Sequence, residues 1–165
     1  MIIDTHLERK ILRNYFFIVG TIKDINAKYF INKINKEILK DNAKSFTTNV
    51  QGKMTYWDSF ANDPEFKELF FKFRDYVDSN NIFGDRYYKL KDCWGYVLNK
   101  KGYTKFHDHL PNVWSGAIYL NDHNQVLHFP EIGASVKPKK GRFVLFSSFL
   151  NHGCKINNTN KLKYG

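Results

Sequence analysis

Downstream of Arg86 the helical hydrophobic period of the chain disappears, and short β-branched and aromatic runs follow one another to the end. They are separated by glycine, by Asn121-Asp122 and by Pro138-Lys139-Lys140-Gly141, residues that favour turns. Strands are expected near 86–99, 104–109, 113–120, 125–129, 135–138, 142–148 and 152–156. Parallel strands need crossovers of a dozen or more residues, usually helical, and no such segment interrupts this half. Closely spaced short strands instead build a sandwich, jelly roll or barrel.

The first half supplies the support. Asn14 to Ile22 reads as an early strand, closed by Gly20 and a polar turn. From Asp24 to Leu39, Ile25, Tyr29, Ile34 and Ile38 recur at spacings of four and five, which is one buried helical stripe. A polar stretch runs through Gly52. A second helix is then signalled by Asp63 as its cap, Pro64 in the first position and Glu65 in the first turn. Its apolar face is Phe66, Leu69, Phe70, Phe73, Tyr76 and Val77, a stripe suited to lying on a sheet rather than to binding a ligand. The expected architecture is mainly β: a double-stranded β-helix, or jelly roll, over residues 86–165, with two supporting helices within residues 1–85. The 165 residues make one domain, without internal repeat or long linker.

With 42% hydrophobic and 17% aromatic residues, the chain has enough apolar material for a core without staples. Cys93 and Cys154 are its two cysteines; they form no Cys-x-x-Cys pair and no apolar export segment precedes them, so a reducing, cytoplasmic setting is expected. The longest apolar run, Tyr15 to Gly20, has the length of a strand, so no membrane partner is expected. A net charge of +10 suits a polyanionic partner such as nucleic acid. However, Lys, Asn, Ile, Phe and Tyr together crowd the sequence as an A/T-rich genome would make them. The basic charge is therefore expected to be spread over helix faces and loops, with nucleic acid a secondary reading.

His107, His109, His123, His128 and His152 all lie in the β-rich half, and His6 alone lies outside it. Side chains at i and i+2 of a strand share a face, so His107 and His109 can reach one metal ion while Asp108 points elsewhere. If the strand turns there, Asp108 replaces one of them. His152, after the strand Gly141 to Ser148, is placed to complete a facial cluster of the kind that leaves coordination positions open on iron(II). Zinc accepts the same nitrogens, and the plain alternative is a pair of surface histidines on an edge strand. His123 and His128 belong to a turn and a short strand and are assigned no chemistry.

The second half, over residues 90 to 165, resembles 2-oxoglutarate- and iron-dependent oxygenases of the prolyl-hydroxylase kind. The resemblance rests on His107-Asp108-His109, Ser115-Gly116-Ala117-Ile118-Tyr119-Leu120-Asn121, Gly141-Arg142-Phe143-Val144-Leu145-Phe146 and His152-Gly153. It is closest to uncharacterised, partly phage-borne oxygenases with a His-x-His segment; for a phage protein the setting would be the host cytoplasm. The resemblance implies a dioxygenase that hydroxylates a peptide, protein or small molecule, with His107, His109 and His152 as catalytic metal ligands. It implies iron(II), 2-oxoglutarate and O2, with ascorbate as a candidate reductant. Lys163 would hold the far carboxylate of 2-oxoglutarate where arginine is usual, helped by Tyr119 and Tyr96, while Trp114 and Leu110-Pro111-Asn112 would face the substrate. The chain departs from the pattern in having no carboxylate at the usual ligand position. The pattern also adds a strand after Lys163-Tyr164, so a truncated chain or a barrel open on that edge is expected. The rival readings are a cupin-type metal enzyme, which usually carries a glutamate soon after the pair, and a non-catalytic jelly-roll binding or structural module.

Overall fold

The computed structural model describes residues 15–40, 48–80 and 88–165. His6, Asn14 and the first two residues of the strand expected at 86–99 lie outside them. The described elements, in chain order, are β1 (Phe17–Thr21), α1 (Ala27–Lys40), β2 (Val50–Gln51), β3 (Lys53–Met54), α2 (Pro64–Ser79), β4 (Tyr96–Leu98), β5 (Tyr103–His107), β6 (Trp114–Ile118), β7 (Leu127–Phe129), β8 (Ala134–Val136), β9 (Arg142–Ser147), β10 (His152–Cys154) and β11 (Lys163–Tyr164).

Every strand pairing is antiparallel, and the strands form two layers. One layer runs β2-β5-β10-β7-β8. The other consists of β3-β4-β11 and β6-β9-β1, joined where the Leu120 N–H donates to the Tyr164 carbonyl at 3.1 Å. The alternation of strands between layers is the expected double-stranded β-helix.

The burial pattern explains why Phe143 to Phe146 is uninterrupted apolar sequence: β9 is covered on both faces. Val144 and Phe146 point between the layers with Tyr119, Leu127, Phe129, Val136 and Leu150. Phe143 and Leu145 point outward against Phe73 and Val77 of α2. Gly141 opens β9 at φ 78°, a left-handed conformation that costs glycine little, and its carbonyl accepts from Ile22 at 2.8 Å.

The two helices are pinned to each other through Asp63. Its carboxylate caps α2 by accepting from the Phe66 N–H at 2.9 Å, and it also accepts from the Tyr29 hydroxyl of α1 at 2.6 Å and from the Lys33 ammonium. Burial alone would raise the Asp63 pKa, but these three donors outweigh it and hold the carboxyl below its usual range. In return the Tyr29 phenol is pushed up to about 12, chiefly by its bond to that carboxylate.

Four details differ from expectation. The strand expected at 86–99 is ladder-paired only over Tyr96–Leu98, and the stretch read as polar through Gly52 contains part of β2–β3, which add an edge strand to each layer. Tyr76 is half exposed rather than on the buried face of α2. Exposed lysines do lie on helix faces and loops, among them Lys28, Lys36, Lys40 and Lys72, but Lys100, Lys101, Lys137, Lys139, Lys140, Lys155 and Lys161 gather on turns at one end of the barrel.

Because Asp63 is both a cap and the buried acceptor for two other groups, Asp63→Ala is expected to cost about 2–4 kcal/mol. Urea unfolding should show a lower midpoint with an unchanged slope.

Candidate metal centre

The centre is built on the pairing of β10 with β5, in which His152 stands opposite His107. The next registered pair is Cys154 with Thr104, so two residues of β5, Lys105 and Phe106, face the single residue Gly153. This is a bulge, a device that re-aims side chains at a strand end. Gly153 permits it, since a Cβ there would lie 2.9 Å from the Thr104 carbonyl oxygen and 3.1 Å from Phe106.

His109 arrives by another route. β5 ends at His107, so the expected strand alternation does not carry the pair. Instead the His109 N–H donates to the Ser148 carbonyl at 2.8 Å, fastening the loop to the end of β9. Asp108 is exposed, and its carboxylate accepts from the Leu110 N–H at 3.1 Å. It is His109, not Asp108, that joins the cluster: ligand atoms of His107, His109 and His152 all lie within 4.8 Å of one another. Bringing all three onto metal–nitrogen bonds of about 2.0–2.1 Å requires the rings to turn towards one another.

Backbone carbonyls set the tautomers. The His107 Nδ1–H donates to Lys105 O at 2.8 Å and the His152 Nδ1–H to Leu150 O at 2.9 Å, so each ring keeps its Nε2 lone pair for a metal. Burial lowers the His152 pKa to about 3, against the opposing bond to Leu150, and His107 and His109 lower it further. Burial, then His107, lowers His109 to about 4, with Asp108 opposing. Both rings are therefore neutral donors at pH 7. Phe146 and Phe129 lie against His152 with ring centroids 4.6 and 5.5 Å away, keeping that side apolar.

Deeper in the barrel, Lys163 is buried, donating to Gln125 O at 3.1 Å with its ammonium 5.4 Å from the Tyr119 ring centre. Burial lowers the Lys163 pKa, and neighbouring Cys154 pulls the other way. Among the described residues no carboxylate pairs with this cation, and the buried Tyr119 hydroxyl and Gln125 Oε1 have no hydrogen-bond partner. The Tyr96 phenol is raised by burial and by Cys154, and it raises Tyr119 in turn, so the two tyrosines, Cys154 and Lys163 share one interior.

No family model matches the chain, and no curated protein matches it. Solved structures do. The viral collagen prolyl hydroxylase of Paramecium bursaria Chlorella virus-1, as its 2OG complex, is 19% identical with a TM-score of 0.66 over 91% of both chains. A Pseudomonas putida prolyl-4-hydroxylase is 13% identical, with a TM-score of 0.67 over 94% of this chain and 91% of that one. HygX from Streptomyces hygroscopicus, with nickel and 2-oxoglutarate bound, is 12% identical, with a TM-score of 0.61 over 99% and 85%. The chain has the fold of the 2-oxoglutarate-dependent oxygenases.

Within this oxygenase fold several sequence assignments change place. Trp114 does not face the metal side: it stacks on Phe70 of α2 at 6.0 Å, on the outer face of β6, while Ser115, Ala117 and Tyr119 alternate inward. His123 is a turn anchor, accepting from the Gln125 N–H at Nδ1 and donating from Nε2 to Lys161 O. His128 pairs its ring with the Ser135 hydroxyl. The sequence reading missed Trp94, 6.1 Å from His109, and Trp57 packed edge-on against it at 4.8 Å. It also missed Cys154, although a strand period of two from His152 places that thiol on the same inward face.

His152→Ala is expected to abolish metal binding in equilibrium dialysis against iron(II), manganese(II) or zinc(II); unchanged metal content would move the site elsewhere. The histidine pKa values also fix a pH dependence in the metal-free protein. Both folded values lie below the ordinary 6.5, so the unfolded chain binds more protons between them. Their stabilising contribution is complete above about pH 6.5 and falls away as pH drops towards 4 and 3. The melting temperature of His152→Gln should therefore fall less steeply than that of the parent over pH 6.5 to 4.

Proposed function

We propose that the chain is a non-haem iron(II)- and 2-oxoglutarate-dependent dioxygenase that hydroxylates a peptide, a protein or a small molecule. The observation that carries this reading is the buried Lys163 ammonium, with the unpartnered Tyr119 hydroxyl, in the same barrel as three convergent imidazoles. Burying an ammonium without an anion costs several kcal/mol. A structural metal site or a plain binding module has no need of it, whereas a dicarboxylate reaching from the metal into the barrel does.

The donor set fits. Three neutral nitrogens leave a divalent ion its full charge and open positions, and a dianionic chelator neutralises that charge. His107, His109 and His152 would hold the metal, and Lys163 and Tyr119 would bind the far carboxylate and fix the orientation of the cosubstrate. Lysine supplies a point charge where a guanidinium would supply a fork, so Tyr119 has the larger share in setting direction. Phe129 and Phe146 exclude water beside His152. Iron with 2-oxoglutarate and O2 supplies oxidative decarboxylation to succinate and carbon dioxide, coupled to hydroxylation of a C–H bond. The likeness to a prolyl hydroxylase solved with 2OG and to HygX solved with nickel and 2-oxoglutarate supports the same reading. Trp94, beside His109, and Trp57, packed against Trp94, would replace Trp114 as the aromatic groups facing a bound substrate.

Lys163→Ala removes one charged hydrogen bond, worth about 1.5–3 kcal/mol, so the 2-oxoglutarate concentration for half-maximal succinate formation should rise roughly ten- to a hundredfold. Metal content should stay at the parent level. Succinate formation with an unchanged 2-oxoglutarate requirement, or no succinate from the iron-loaded parent, would overturn the proposal.

A further inference from the structure

The barrel has two chemically different ends. Four turns meet at the end remote from the histidines: 99–102, 121–126, 137–141 and 155–162. Hydrogen bonds tie them into one surface. Lys101 N donates to Asn157 O at 2.8 Å, Gln125 Nε2 donates to Gly102 O at 2.9 Å and to Lys155 O at 2.6 Å, and His123 N donates to Pro138 O at 3.2 Å. These turns carry seven exposed lysines: Lys100, Lys101, Lys137, Lys139, Lys140, Lys155 and Lys161. Their one acid, Asp122, is engaged by the Lys140 N–H at 2.7 Å. Lys137, Lys139 and Lys161 line a cleft of about 230 Å³ there, together with His123 and Thr159. A biased genome accounts for the number of lysines but not for their gathering on one hydrogen-bonded surface.

We infer that this end is a docking surface for the phosphate backbone of double-stranded nucleic acid. Lysines are point charges that neutralise phosphates and release counterions without reading bases. The turns contain no Phe, Tyr or Trp on which unpaired bases could stack, which argues for a duplex over a single strand. β5, β6 and β9, of five or six residues, run from this surface to the histidine end, a span of roughly 17–20 Å, while the shorter β10 brings Lys155 closest, three residues from His152. The duplex is thus an anchoring partner and not the group presented to the metal, so docking does not depend on the metal centre.

Fluorescence anisotropy with 20-base-pair duplexes of unrelated sequence, from 50 to 200 mM NaCl, tests this. Binding should be sequence-independent and should weaken linearly on a log–log scale with salt. The triple variant Lys137→Glu/Lys139→Glu/Lys161→Glu should bind at least tenfold more weakly, with a salt slope smaller by about 2–3. The control Lys23→Glu/Lys28→Glu/Lys36→Glu has the same change in net charge at exposed positions on and before α1, and should stay within twofold of the parent. His107→Ala should bind the duplex like the parent, which separates this surface from the proposed oxygenase chemistry. Equal losses in the two triples, no duplex binding by the parent at 50 mM NaCl, or equal competition by poly-glutamate of matched charge would overturn the inference. Thermal unfolding of each variant confirms that its fold is kept.

Discussion

The register of β10 against β5 is the constraint on which the rest of this molecule depends. Placing His152 opposite His107 requires the ladder to absorb one extra residue before Cys154 meets Thr104. That is possible because Gly153 has no side chain to meet Phe106. Without the bulge, strict alternation along β5 would carry the Thr104 side chain and the His107 side chain to opposite faces. With it, one ring is aimed at the cluster while the strand below still closes the barrel.

Around that register the barrel separates two kinds of polar group. The histidines have their polarity directed by backbone carbonyls at Lys105 and Leu150, which leaves one lone pair each facing the cluster. Tyr119 and Gln125 are less completely satisfied, Lys163 has no carboxylate partner among the described residues, and in a low-dielectric interior an unmatched donor or acceptor is costly. The apolar layer of Phe129, Phe146 and Leu150 makes those groups expensive, and it also makes any anion they receive strongly held.

Much of this was legible in the sequence, for reasons that differ from residue to residue. The long strands could be read because β6 and β9 have enough residues to show their pattern, and α2 because Asp63-Pro64-Glu65 marks its start chemically. β2 and β3 were invisible because two-residue strands have no period. His107 and His152 were found through strand-end positions, yet the reason given for His109 was wrong: a main-chain bond from the loop, not alternation, brings it in. Trp114 was misplaced because proximity in sequence to the histidines says nothing about which face of β6 a residue occupies, and the outer face belongs to α2. Trp57 and Trp94 lie far from each other in sequence and from His109, so only the folded chain shows them as neighbours. The burial of Lys163 follows from the return strand after the turn at Asn157, whose amide bonds Asn99 O and Lys161 O.

The loop bond between His109 N and Ser148 O uses only main-chain atoms, so the position of residue 109 is fixed independently of its side chain. The codons for histidine and aspartate differ by a single base. A single point mutation could therefore exchange a neutral donor for an anionic one without rebuilding the backbone. The departure of this chain from the usual carboxylate then becomes a short evolutionary step in either direction: a lineage could retune the charge of its centre while leaving the barrel and its register untouched.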